Sequence, residues 1–259
     1  MSADADLYRV SVEVMARGQH RSGAFVASPT FPTYRYSWIR DGSFIAAALD
    51  EAGDHERAGA FHRWVAGVVE RYRPRIERVE ANAPLELTDR DILHTRFTLE
   101  GEEGSEWWAN FQLDGYGYWL SALARHLRRA GRGDEFLPAV GLAARYLAML
   151  WERPCYDCWE EFPDRAHPAT LAAVAGGLRH AAALLDDAGP GALAQRILDR
   201  VMARGTTEAA DGDGNMPEQV SRHLLKPDRF QPWVERWGPV ATPLLWSHAM
   251  YVLARGAVA

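Results

Sequence analysis

A chain of 259 residues that is 47% hydrophobic and 25% charged has the make-up of a globular protein, which excludes disordered, collagenous and coiled-coil readings. Its net charge of −6 speaks against nucleic acid or an anionic membrane surface as a partner, since both reward a basic face. No stretch approaches the roughly 20 apolar residues of a membrane span, and no basic segment followed by an apolar run opens the sequence, so a cytoplasmic location is expected.

Leu7, Val10 and Val14 recur at helical spacing and predict a first helix that stops near Gly18. An irregular stretch follows, holding Pro29 and Pro32 and ending in Tyr34-Arg35-Tyr36-Ser37-Trp38-Ile39-Arg40-Asp41; a second helix is expected from Phe44. Here aromatic rings, a guanidinium and a carboxylate gather at a helix mouth. That set can grip vicinal hydroxyls, or it can be an Asp41 N-cap with a structural arginine.

Phe61, Val65, Val68 and Tyr72 share one face of a third helix, about 56–72. Residues 73–108 show no sustained period and predict a long excursion with at most a short strand around Thr95-Arg96-Phe97-Thr98. From Gln112 a fourth helix is expected, with Tyr116, Trp119, Leu120, Leu123 and Leu127 on one face, and from Asp134 a fifth, with Phe136, Val140, Leu147 and Leu150.

His167 and Pro168 open a sixth, Leu193, Ile197 and Val201 mark a seventh, and Thr242 with Pro243 starts the last, carrying Trp246 and Met250. Eight helices without period-two strands make an all-α domain of paired helices.

Between the fifth and sixth helices lies Cys155-Tyr156-Asp157-Cys158-Trp159-Glu160-Glu161. Glu160 reads as a catalytic acid: an apolar wall favours the protonated carboxyl, and an indole face packs on a sugar ring. The competing reading is a helix start with acidic residues at its positive end. Cys155 and Cys158 lack further ligands at zinc spacing and read as partly buried thiols. The run 211–215 resembles a calcium loop but has Met216 and Arg222 where glycine and glutamate are needed, so it reads as a turn. His167 and His248 read as structural. No phosphate loop, dinucleotide fingerprint or Ser-His-Asp set is present.

Four segments in order resemble the motifs of glucoamylase-type glycoside hydrolases of family 15. They are the Tyr34–Asp41 run, Trp108 to Asp114 with its Gln112-Leu113-Asp114, Tyr156 to Glu161 with Cys158 where leucine is usual, and Glu218-Gln219 followed by Leu245-Trp246-Ser247-His248. The resemblance implies a barrel of six helical hairpins acting on an oligosaccharide or disaccharide, with no cofactor or metal in the chemistry.

It also implies Glu160 as general acid and Glu218 as general base in an inverting mechanism, with Tyr34 and Gln219 placing the water. Arg40 and Asp41 would bind glucose hydroxyls, and Trp38, Trp108, Trp159, Glu161 and Trp246 would line the pocket. Eight helices make only four hairpins, so a family segment is expected to be missing between about 188 and 206, and the unpaired apolar faces would be covered by a second copy of the chain. Beside the hydrolase stand a phosphorylase on a similar barrel and a catalytically inactive sugar-binding or assembly protein.

Overall fold

The computed structural model describes residues 3–82, 86–131, 133–205 and 227–238. Their regular structure is helical: α1 (Ala3–Arg17), α2 (Ile39–Glu51), α3 (His55–Arg71), α4 (Arg73–Ala81), α5 (Asp114–Ala130), α6 (Leu137–Leu150), α7 (Pro168–Leu185), α8 (Ala188–Gly205) and α9 (Pro227–Trp237). Two two-residue strands, β1 (Ser37–Trp38) and β2 (Arg96–Phe97), pair antiparallel with Ser37 opposite Phe97 and Trp38 opposite Arg96. The chain divides into two compact units, Met1–Ala194 and Gln195–Ala259. None of the described helices is long and apolar enough to cross a membrane.

In the first unit the core forms where α5 packs on α7 and α2, with α3 and α6 closing it. The α5–α7 crossing is made by two glycines: a Cβ on Gly117 would meet Ala173 O at 2.3 Å, and one on Gly177 would meet the Gly117 Cα at 2.7 Å. Local chemistry marks the helix ends. Asp54 caps α3 by accepting from Arg57 N (3.2 Å), Pro168 stands at the first position of α7 after an extended His167, and Gly131 ends α5 at a φ of +89°.

The excursion 73–108 is the main departure from the sequence reading. It opens with α4, whose charged sequence buries only Ile76 and Val79, too few apolar residues to show a period. The short strand predicted near 95–98 is β2. The rest is irregular chain held by side chains of its neighbours: Trp64 donates to Leu99 O (3.1 Å), Arg71 to Gly101 O (2.8 Å), Arg75 to Ile92 O (2.9 Å) and Glu103 Oε2 (2.8 Å), and Arg78 to Asp91 Oδ1 (2.8 Å). Two buried tyrosines add to these, Tyr116 O–H donating to His94 O (2.6 Å) and Tyr146 O accepting from Leu93 N–H (3.0 Å).

Three further expectations change. The second helix begins at Ile39, placing Arg40 and Asp41 in its first turn instead of a preceding loop, and the fourth begins at Asp114. The second unit holds α9, where no helix was expected; Pro232 lies inside it. The helix predicted from Thr242, with the loop before Pro227, falls outside the described residues.

Candidate active site

The β1–β2 pairing fixes Trp38 immediately ahead of α2, so Arg40 and Asp41 leave the first turn of the helix beside it. Asp41 there stands near the positive end of the helix dipole. Opposite lies the loop 151–167. Asp157 organises it: its Oδ1 accepts from the backbone N–H groups of Trp159 and Glu161, both at 2.9 Å, while Glu160 N donates to Asp157 O (3.0 Å). Within that turn Glu160 has a φ of +66° and Phe162 one of +52°, a left-handed backbone that costs a non-glycine residue energy and is held by its surroundings. Tyr156 N bonds Phe111 O (3.0 Å), and His167 Nε2 lies 3.0 Å from both Cys155 O and Phe162 O, strapping the loop at its base.

These elements enclose a cavity of about 500 Å³ lined by Tyr34, Trp38, Arg40, Asp41, Trp159 and Glu160 together with Ala27, Phe44, Tyr118 and Cys158. The Trp38 indole N–H donates to Glu160 Oε1 (2.8 Å), and the Gln112 amide donates to the same oxygen at 3.3 Å. No hydrogen bond of the described residues engages Oε2. Gln112 is fully buried and its Oε1 accepts from Arg40 (2.7 Å); Arg40 also bonds the buried Asp114 (3.2 Å) and lies 3.5 Å from Asp41.

Burial works to lower the Arg40 pKa, but Asp114 and Asp41 outweigh it and hold it above its ordinary value. Burial raises Asp41; Arg40 opposes this, and the carboxylates of Glu160 and Asp114 add to it. Burial also pushes the Cys155 thiol up to about 12, so it carries no thiolate at neutral pH, and Cys158 is raised by the same cause.

The aromatic groups form one assembly. Trp38 stands edge-on to Tyr34 and to Trp108, each with ring centroids 5.7 Å apart, and the buried Arg96 guanidinium lies 3.8 Å from the Trp108 centroid and 4.2 Å from that of Tyr36. Trp159 is 80% exposed and offers its indole to solvent at the cavity.

Of the residues named from sequence, Tyr34, Trp38, Arg40, Asp41, Trp159 and Glu160 meet at this cavity. Trp108 stands behind Trp38 and lines a separate cavity with Glu103, Trp107 and Asn110; Glu161 is exposed and outside the lining. Glu218, Gln219 and Trp246 lie outside the described residues. Sequence reasoning gave no role to Gln112, Asp114, Phe44 or Tyr118. The signal for the first two was the pair of polar residues flanking Leu113 at a helix entrance, where neither serves the apolar face.

Chemically, the arrangement presents one carboxyl with a fixed oxygen and a second without a hydrogen-bond partner among the described residues. Beside it are a cation and a carboxylate suited to vicinal hydroxyls, and ring faces suited to a pyranose.

The family model described as glycosyl hydrolases family 15 matches residues 4–208. An isomaltose glucohydrolase of Kribbella flavida is 32% identical over 351 residues, taking in 96% of this chain and 91% of that protein. A wild-type glycosidase of known structure superposes with a TM-score of 0.71 at 31% identity, covering 100% of this chain and 99% of that one, as does a glutamate-to-alanine variant of a glycosidase in complex with glucose. A bacterial glucoamylase complexed with acarbose, 20% identical, superposes with a TM-score of 0.59 over 79% of this chain and 29% of its own length. The fold is thus the all-α, six-hairpin glucoamylase type.

Proposed function

Because the chain belongs to the glycosyl hydrolases of family 15, glucoamylase-like enzymes that cleave glycosidic bonds of oligosaccharides, we propose that it releases glucose from the non-reducing end of an α-glucoside with inversion at the anomeric carbon. Glu160 is the general acid and Glu218 the general base. Isomaltose is the first substrate to test, since it is what the 32%-identical relative is named for; maltooligosaccharides and trehalose are the others.

One observation carries the assignment. Glu160 Oε1 is tied by the Trp38 indole and Gln112 on the wall of a cavity that also holds Arg40 and Asp41, and among the described residues Oε2 has no partner that would compete with substrate. An N–H donor serves both the carboxylate and the carbonyl oxygen of the acid, so the group keeps its orientation through a change of protonation. Arg40 and Asp41 grip hydroxyls of the terminal glucose, and Tyr34 and Trp159 lend ring surface. The proton passes from Glu160 to the glycosidic oxygen as the bond from that oxygen to the anomeric carbon breaks. Glu218 takes a proton from a water that attacks the opposite face, which requires the two carboxyl groups to stand roughly 6.5–9.5 Å apart.

Proton NMR of the protein with isomaltose, maltose and trehalose tests this. β-Glucose is expected to appear ahead of mutarotation, and Glu160→Gln and Glu218→Gln are each expected to lose at least about 10³-fold in kcat while melting cooperatively. α-Glucose as first product, or full activity in either variant, would refute the assignment.

A family segment is also proposed to be missing between the two glutamates, at about 188–206. The alignment to the relative runs over 351 residues against 259 here. The two glutamates replaced in the solved glycosidase lie roughly 160 residues apart, against 58 between Glu160 and Glu218, and both comparisons leave a difference of about 100. This shortening supports a second reading, a sugar-binding protein without turnover. Saturable binding of isomaltose by a protein that forms no product would favour it.

A further inference from the structure

Three buried side chains able to ligate a metal meet where α2, α3 and α5 converge. Asp50, His62 and His126 each offer a ligand atom, and these atoms all lie within 4.8 Å of one another. His126 Nδ1 is 3.0 and 3.1 Å from the two Asp50 oxygens, and His55 Nδ1, on a side chain 45% exposed, is 2.8 Å from Asp50 Oδ1. The His62 ring centroid is 5.0 Å from that of His126. Gly59 keeps the space beside His126 open, since a Cβ there would come within 3.1 Å of its Nε2.

The decisive feature is His62. Its surface is 0% exposed, and neither ring nitrogen has a hydrogen-bond partner among the described residues. A buried imidazole with both nitrogens unsatisfied is costly in a core made only of protein groups, and interiors almost always satisfy such atoms. A shared ligand resolves the cost. Two imidazoles and one carboxylate are a donor set that suits zinc and similar first-row divalent cations; with bonds of roughly 2.0–2.2 Å the donors of a tetrahedral ion stand about 3.4 Å apart, close to the Asp50–His126 separation already present. His62, within 4.8 Å of the other two, has at most about 1.4 Å to close. We propose that Asp50, His62 and His126 form a structural site for a zinc-class divalent cation.

The site is separate from the glycosidic chemistry. Asp50 stands ten residues along α2 from Arg40, and His126 twelve along α5 from Asp114, which at 1.5 Å per residue puts the cluster roughly 15–18 Å along the helices from their cavity ends. A cation there would clamp three helices of the core without touching the reacting groups.

The test uses untagged full-length protein grown with zinc and purified without chelator. Elemental analysis is expected to find about one zinc per chain, and His62→Ala and Asp50→Asn to lose it. Chelation is expected to lower the melting midpoint of the unsubstituted protein by roughly 5 °C and zinc to restore it, with no response in either variant. Should a variant fail to fold, cobalt(II) added to the chelated unsubstituted protein is expected to give the visible absorption of a nitrogen- and oxygen-coordinated ion. Protein free of zinc whose melting is indifferent to zinc and chelator, cobalt without a visible band, or zinc kept in full by both variants would overturn the site.

Discussion

Glu160 holds its place through its neighbours more than through its own backbone preference. Its φ of +66° is paid for by Asp157, whose single oxygen accepts from the N–H groups on either side of it. Asp157→Ala removes both bonds and lets residue 160 relax toward ordinary backbone. Since an ångström of misplacement can cost about 100-fold, kcat on the proposed substrate is expected to fall by about that factor with a much smaller change in KM, read from steady-state kinetics. An unchanged kcat would mean that the turn holds without Asp157.

Asp41 makes a different residue-scale prediction. A carboxyl whose folded pKa lies above its unfolded value binds its proton more tightly when folded, so ionisation costs stability. The cost is absent below the ordinary carboxylate range and complete above the raised value. Asparagine carries no such cost. The melting midpoint of Asp41→Asn minus that of the unsubstituted protein should therefore widen as the pH rises through the ordinary carboxylate range and level off once it passes the raised value. A gap that narrows with rising pH would contradict the assigned direction.

At the scale of elements, the excursion 73–108 depends on side chains reaching it from helices. Tyr146→Phe leaves the buried Leu93 N–H without its acceptor and is expected to destabilise the fold by about 1–3 kcal/mol in urea unfolding, whereas loss of an exposed hydroxyl would cost almost nothing. Gly117→Ala puts a methyl against Ala173 O and is expected to cost about 1–3 kcal/mol, or more if α5 and α7 cannot separate. Long apolar helices such as α3, α5, α6 and α7 were legible because a buried stripe repeats every three to four residues. Helix α4 was not, because its stability rests on Pro74 at its start and on two buried residues that carry no period. Arg40 and Asp41 were legible as a pair, but their place in the first turn of α2 depends on Trp38 being held by β2, a contact across about 60 residues that no local pattern announces.

For the molecule as a whole, the aromatic and charged residues of the cavity were legible because they are poor choices for a helix face, and their ordered motifs matched a family. What escaped was the mediating layer. Gln112 joins Arg40 to Glu160, a link that its place in a polar pair beside Leu113 hints at without specifying, and His62 sits in the core as a polar group on an apolar face, where only its surroundings set it apart. The described residues lining the cavity all fall between Ala27 and Glu160. A chain leaving the ribosome therefore emerges with all of these residues before the segment carrying Glu218 is synthesised, and N-terminal parts fold first during synthesis. Gain or loss of sequence downstream of Glu160 leaves each of these residues unchanged, so the part of the cavity that carries Glu160 persists while the C-terminal part of the chain lengthens or shortens.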